Sequence, residues 1–369
     1  MKLRVGIVGS SWWTEAMYLP ALADHEAATV EAICGLRRAP AASVASRWGI
    51  RQVFDSAEQM LTSGEIDAVV IATPNNLHVS IARVALDMGM AVLCDKPLAL
   101  TAGDAYALAN LAEDNRVTTM VPFTYRYMPT SQLVRRLLSD GAVGEPRHLN
   151  ARYYAGYAHD GAYAWRWDRG IAGSGVIGDL GSHWLDLARW MLGEVVAVSA
   201  HATTFVPKGP RPDGRHYDVT EDHAVLHTRH ANGAIATLEV SAVGAEGSSF
   251  GQKHLLEVHG SDGSIEAVND WERVQQVRVF NRGSSGGHQI ATWPEDIVAG
   301  LRMGSVADTY HDVFRTTETM TRAWATAAAA GQRCEPDFRV GARIQELVDA
   351  AVRSDASGGS WQLVTDPAG

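Results

Sequence analysis

Residues 67–72 read Asp-Ala-Val-Val-Ile-Ala, a continuous apolar run of small and β-branched side chains without polar alternation. A strand of that kind is buried on both faces, the condition of a strand inside a parallel sheet covered by helices. Its neighbours repeat the theme. Leu3 to Val8, Val30 to Cys34, Ala91 to Cys94 and Val117 to Pro122 read as strands. Between them, Glu15 to Ala23, Ala39 to Trp48, Glu58 to Thr62, Val79 to Met88 and Thr101 to Glu113 read as helical segments, with Pro20 as an irregularity. Strand–helix alternation over the first third of a chain predicts a doubly wound α/β domain.

The pattern changes after Phe123. A helix is expected over 131–139 and a turn over Gly141 to Gly144. Period-two alternation follows in Arg147 to Tyr153, Val195 to Phe205, His223 to His230, Ala234 to Val243, Leu255 to His259 and Gln275 to Phe280. Asn232-Gly233 is a hairpin signal between two of these runs. The expectation is a large, mostly antiparallel sheet, with helices near 179–192, 308–330 and 338–353 on one face and a surface loop at 283–287. With 369 residues the chain has room for two domains, drawn here as 1–122 and 123–369.

Composition narrows the partners. The 32 Lys and Arg against 42 Asp and Glu give a net charge of −10. There is no basic run, which disfavours a nucleic-acid binder and a basic membrane-surface helix. No apolar stretch approaches the roughly 20 residues of a membrane span, and no signal-peptide apolar region precedes the first glycine motif. Cys34, Cys94 and Cys334 are odd in number and scattered. They form neither a paired disulfide framework nor a CxxC zinc site and suit a reducing compartment. A cytoplasmic enzyme is expected, with no nucleic-acid or membrane partner.

Four segments carry candidate chemistry. Gly9-Ser10-Ser11-Trp12-Trp13-Thr14 lies between the first strand and first helix, where a dinucleotide fingerprint would read G-x-G-x-x-G. Gly9 keeps the first position, while Ser11 and Thr14 replace the second and third glycines. An ordinary strand-to-helix turn explains the segment as well. After the second strand, no acid stands where an NAD-binding domain puts its ribose carboxylate. Arg37 and Arg38 stand nearby and could make charge-assisted bonds of roughly 1.5–3 kcal/mol each to a 2′-phosphate. This favours NADP over NAD, the alternative being that both arginines are solvated. Cys94-Asp95-Lys96-Pro97 falls at the carboxyl end of a parallel strand, where open α/β sheets bind ligands. Lys96 could bond a substrate hydroxyl or relay its proton; a surface lysine is the alternative.

The fourth segment runs Gly175 to Asp186. As a helix it puts Asp179, His183 and Asp186 on one face, beside an apolar stripe of Trp184, Leu187, Ala188 and Met191. A carboxylate one turn from an imidazole can orient it for acid–base work. Capping by Asp179 with a hydrogen-bonded core histidine is one alternative and a metal-ligating pair another; no metal site is assigned. Tyr153, Tyr154, Tyr157, His159 and Tyr163 form an aromatic-rich stretch suited to stacking on a sugar ring or to sheet packing. The segment Phe205 to Val219 brings Lys208, Arg211, Arg215, His216 and Tyr217, read as a solvated loop or as contacts to an anionic or hydroxyl-rich ligand.

Taken in order, these motifs resemble the glucose-fructose oxidoreductase / inositol dehydrogenase / rhizopine-catabolism family (Gfo/Idh/MocA) over nearly the whole chain. The resemblance runs from Val5-Gly6-Ile7-Val8-Gly9 through Asp67 to His78, Asp95-Lys96-Pro97-Leu98, where the family usually writes Glu-Lys-Pro, and Tyr125 to Pro129. It continues through Trp165-Arg166, Ala172 to Gly175, Asp179-x-x-x-His183, Glu221 to Ala224 and His259 to Ser264. It implies an N-terminal Rossmann domain, a C-terminal α+β domain with a large open sheet, and dimers or tetramers built through that sheet. It implies hydride transfer between a nicotinamide cofactor, NADP or NAD, and a sugar, polyol or related carbinol. Lys96, Asp179 and His183 take the catalytic positions. Gly9 to Trp13, Arg37, Arg38, Thr73, Pro74, Asn75, Asn76, His78, Asp95, Lys96, Arg126, Trp165 and Arg166 fall at the cofactor. Lys96, Tyr154, Arg166, Asp179 and His183 fall at the substrate. A catalytically silent cofactor-binding regulator, and transient cofactor use in elimination or glycoside cleavage, are the alternatives.

Overall fold

The computed structural model describes residues 2–244, 252–271, 273–283 and 287–364. They form two compact units. The first unit comprises Met1–Thr124 and His311–Gln345, the second Tyr125–Tyr310 and Glu346–Gly369.

The first unit is built on a parallel sheet of β1 (Leu3–Val8), β2 (Ala28–Cys34), β3 (Gln52–Phe54), β4 (Ala68–Ile71), β5 (Ala91–Cys94) and β6 (Thr119–Met120). Their spatial order is β3-β2-β1-β4-β5-β6, a doubly wound sheet. Every residue of β4 is buried, as its unbroken apolar sequence requires. The order reverses between β1 and β4, and a reversal of this kind leaves a crevice at the strands' carboxyl ends.

Among the described residues the second unit carries nine strands: β7 (Pro146–Ala155), β8 (Val195–Thr203), β9 (His223–His230), β10 (Ile235–Ser241), β11 (Gln252–Gly260), β12 (Gly263–Asp270), β13 (Val274–Asn281), β14 (His288–Ile290) and β15 (Gln362–Leu363). They run in the order β14-β13-β12-β11-β7-β10-β9-β8-β15. All neighbours are antiparallel except β7 and β10. Alternate residues are buried, and the helices Pro129–Ser139 and Ser182–Leu192 pack on that face. Asn232-Gly233 makes the expected β9–β10 hairpin, with Gly233 at φ +88°.

Three expectations change. The helix expected over 308–330 is two helices, Val306–Arg315 and Met320–Ala329, because the Thr317 and Thr319 hydroxyls donate to the Val313 carbonyl and end the first. Met320–Ala329 packs on the first unit's sheet, not the second's. The Glu15–Ala23 segment opens with a π-helical turn, Thr14–Tyr18, before an α-helical turn, Leu19–Ala23. Pro20 has no N–H to give the Ala16 carbonyl, which accepts from Arg315 Nε at 2.6 Å. Of the loop expected at 283–287, residues 284–286 lie outside the described residues.

Candidate functional site

In the first unit, the candidate residues gather along the carboxyl edge of the parallel sheet. Gly9 closes β1 at φ +124°, and a Cβ there would stand 2.1 Å from the Ala72 carbonyl oxygen. Only glycine fits this turn. Thr14, in the third glycine position, is fully buried and its hydroxyl donates to the Gly9 carbonyl at 3.1 Å. It therefore braces the turn that a glycine would only have let pass. Ser10 fits against Gly35, where an added Cβ would meet its Oγ at 2.6 Å. The two tryptophans part company. Trp12 is 61% exposed, whereas Trp13 packs edge-on against Phe314 at 5.5 Å.

At the end of β2, Arg38 pairs with Asp55 at 2.7 Å. Arg37 is exposed and forms no ion pair among the described residues. After β4, Asn76 is exposed and Asn75 buried. The Thr73 hydroxyl is buried without a hydrogen-bond partner among the described residues, an orphan of the kind a bound polar group satisfies. After β5, the Lys96 backbone N–H donates to Asp95 Oδ1 at 2.8 Å. Burial pushes the Asp95 carboxyl up, against the opposing influence of Lys96 and His78.

His78, expected at the cofactor, is fully buried. Its Nδ1 lies 2.9 Å from the Pro97 carbonyl oxygen and its Nε2 3.0 Å from that of Thr73. It ties the loop after β4 to the loop carrying Lys96. Burial pushes its pKa down. The sharp turn, the orphan hydroxyl and the exposed cation fit a nicotinamide dinucleotide along this edge.

In the second unit, Asp179 sits in a π-helical turn, Ile177–Gly181, and His183 in the α-helix Ser182–Leu192 that follows. The expected single α-helix through Asp179, His183 and Asp186 is thus a π-helical turn continued by an α-helix. Asp179 Oδ2 accepts from the Tyr157 hydroxyl at 2.8 Å, with Arg166 Nε at 3.3 Å. The His183 ring packs edge-on with Tyr125 at 4.7 Å. Asp186 is fully buried and takes both arms of the Arg126 guanidinium, Nε at 2.5 Å. Arg126, expected at the cofactor, is thus committed to anchoring the His183 helix. Tyr154 also moves: strand alternation sends it to the sheet face opposite the buried Tyr153, and its hydroxyl donates to Glu239 at 2.9 Å. The aromatic that reaches the acid is Tyr157.

Glu221 organises the acid-bearing turn. Its Oε1 accepts from the N–H groups of Gly175 at 2.7 Å and Ile177 at 3.1 Å. Burial pushes its carboxyl up, while those bonds and Arg169 pull it down. A Cβ on Gly175 would meet the Glu221 carbonyl oxygen at 1.9 Å, so the glycine is obligatory. Beside it, Asp222 accepts from the N–H groups of Phe205 and Val206 and pairs with Lys208 at 2.7 Å, both side chains fully buried. Arg211 Nε donates to Asp168 at 2.6 Å. Lys208 and Arg211 therefore pin the 205–219 segment internally; Arg215 and His216 remain exposed. Sequence reasoning missed these braces: the adjacent acids Glu221-Asp222 after a cation-bearing loop mark charge at this point of the chain, not the partners it reaches.

Family models match both parts of the chain. Residues 3–123 match the oxidoreductase family with an NAD-binding Rossmann fold, and 131–266 match the GFO/IDH/MocA C-terminal domain. The chain belongs to the Gfo/Idh/MocA family of oxidoreductases. It is 28% identical to levoglucosan dehydrogenase of Pseudarthrobacter phenanthrenivorans over 355 residues, 87% of this chain and 86% of that one. It is 28% identical to D-xylose 1-dehydrogenase (NADP(+)) 2 of Haloferax volcanii, covering 98% of this chain and all of the other. A solved levoglucosan dehydrogenase in complex with NADH and levoglucosan superposes with a TM-score of 0.86 at 27% identity, over 99% of this chain and 100% of that one. The doubly wound sheet and the large antiparallel sheet are those of this Gfo/Idh/MocA enzyme family. All three cysteines are free, and burial pushes the Cys34 thiol up to about 12, which makes it an inert small hydrophobe. Among the described residues no helix is long and apolar enough to cross a membrane.

Proposed function

We propose that this family member transfers a hydride between NADP, ahead of NAD, and a carbinol of a sugar or polyol. The observation that carries the reading is the strand-end edge of the first unit, where Gly9, the Thr73 hydroxyl, Asp95, Lys96 and the uncommitted Arg37 stand along one row of parallel strands. Ser10 to Trp13 would hold the pyrophosphate, Arg37 and Arg38 the 2′-phosphate, and Thr73 to Asn76 with Asp95 the ribose and nicotinamide. The NADP(+)-linked xylose dehydrogenase supports NADP; the NADH-bound levoglucosan dehydrogenase is the argument for NAD. When bound, the nicotinamide ring supplies the hydride-accepting carbon.

The chain's own groups handle the proton. His183 takes the substrate hydroxyl proton on a ring nitrogen. Asp179 orients the imidazole and stabilises its cation. Lys96 bonds a substrate oxygen and stabilises developing alkoxide. In the reverse direction the roles invert. Residues 1–122, joined by His311–Gln345, act as the dinucleotide-binding part and the rest of 123–369 as the part for substrate and association, with homodimers or homotetramers forming through the second sheet in the cytoplasm.

Two measurements test this. NADPH should bind more tightly than NADH, and Arg37→Ala should weaken NADPH about tenfold while leaving NADH unchanged; tighter NADH binding contradicts the NADP assignment. A screen of sugars, inositols and sugar acids should give net cofactor reduction on at least one neutral polyol. Turnover without net reduction would point instead to transient oxidation and re-reduction, and silence throughout to a regulatory role.

A further inference from the structure

Asp179 is gripped by a phenol whose own position is fixed from behind. The Tyr157 hydroxyl donates to Asp179 Oδ2 at 2.8 Å, and the ring stacks on Trp167 with centroids 5.7 Å apart and planes 19° from parallel. Lys208 Nζ lies 4.6 Å from the centroid of the Trp167 ring, itself locked in the buried pair with Asp222. The phenol therefore has little freedom to leave the carboxylate. Burial, with Asp179 beside it, pushes the Tyr157 hydroxyl well above its ordinary range, so it stays a donor through neutral pH.

We infer that Tyr157 is a positioning residue that holds Asp179 ionised and fixes its orientation toward acid–base work. The inference rests on the proposed role of Asp179. A hydrogen bond donated to a carboxylate favours the charged form over the neutral acid. Arg166 also faces Asp179 and favours the charge, the buried phenols Tyr125 and Tyr153 lie within electrostatic reach of it, and His183 is its proposed partner. Strand β10, packed against the turn, buries Ala236, Leu238, Val240 and Ser241, none of them titratable, and Glu221 holds the turn's N-terminal end. An ionised Asp179 is what stabilises the imidazolium of His183. Once Asp179 takes a proton, that support is gone and the rate falls.

The test compares wild type with Tyr157→Phe, which keeps the ring on Trp167 and removes only the hydroxyl. Asp179 is followed by carboxyl-carbon NMR titration of the full-length protein, its resonance assigned by loss in Asp179→Asn. The midpoint should rise by about one pH unit in Tyr157→Phe. The acid limb of kcat/KM on the best substrate should rise by the same amount, with the plateau changed less than about threefold. An unmoved Asp179 midpoint overturns the inference, as does a uniform activity loss at every pH with both midpoints unchanged. A shifted NMR midpoint in a protein without turnover leaves the Tyr157 assignment standing and removes the catalytic reading of Asp179.

Discussion

The two turns that deliver the candidate chemistry solve one problem in different ways. Both the segment after Gly9 and the segment after Gly175 include a π-helical turn, Thr14–Tyr18 in one and Ile177–Gly181 in the other, a winding that recurs at functional sites. In the first unit the turn is shaped chiefly by backbone: Gly9 against the Ala72 carbonyl, closed by the Thr14 hydroxyl, with Arg315 Nε on the Ala16 carbonyl further along. In the second it is shaped by buried charge: Glu221 on the Gly175 and Ile177 N–H groups, and Arg126 on Asp186 behind the His183 helix. A backbone-built turn can leave its polar groups for a ligand. A charge-built turn spends its ionic groups on itself and fixes a few side chains in place. That division suits the proposed cofactor edge in one unit and the proposed acid–base pair in the other.

The largest expected effect separates the two modes. Arg126→Leu leaves Asp186 buried without its cation and should cost about 3–5 kcal/mol of stability, read by denaturant unfolding, while NADPH affinity in the folded fraction is unchanged. A loss below about 1 kcal/mol would show that the second unit does not depend on buried charge. Gly9→Ala comes next. It should cost about 1–3 kcal/mol by overpacking against Ala72 and weaken cofactor binding, with the Asp179 resonance unmoved. Last is a pH effect, absent at neutral pH and felt only in acid. Burial pushes the His254 pKa down to about 3, below its value in the unfolded chain. The unfolded state therefore binds more protons between about pH 3 and 6.5, so stability falls as pH drops through that window. His254→Phe should flatten that slope; an unchanged slope would assign the acid sensitivity to other groups.

What the sequence made legible follows the same contrast. The parallel sheet was readable because β4 is buried on both faces and its sequence says so without interruption. The antiparallel sheet was readable from period two, although Gly263–Asp270 passed unrecognised beside its motif. Gly9 and Lys96 were legible because strand ends carry ligand sites in any sheet of this kind. The braces were not. Nothing local tells Glu221 to reach Gly175, 46 residues away, or Arg126 to reach Asp186. An α-helical frame also missed the π turn at Asp179, because it leaves no periodic signature in so short a segment. Tyr154 was expected at the substrate, but register turns Tyr154 to the other sheet face, while Tyr157, beyond the end of the strand, reaches Asp179.

The most direct test of hydride transfer with proton handling by Lys96 and His183 is steady-state cofactor reduction by wild type, His183→Ala and Lys96→Ala on the best polyol from the screen. Each variant should lose roughly 10²–10⁴ in kcat/KM, with NADPH binding retained in the His183 variant. Full turnover in either variant would contradict the account.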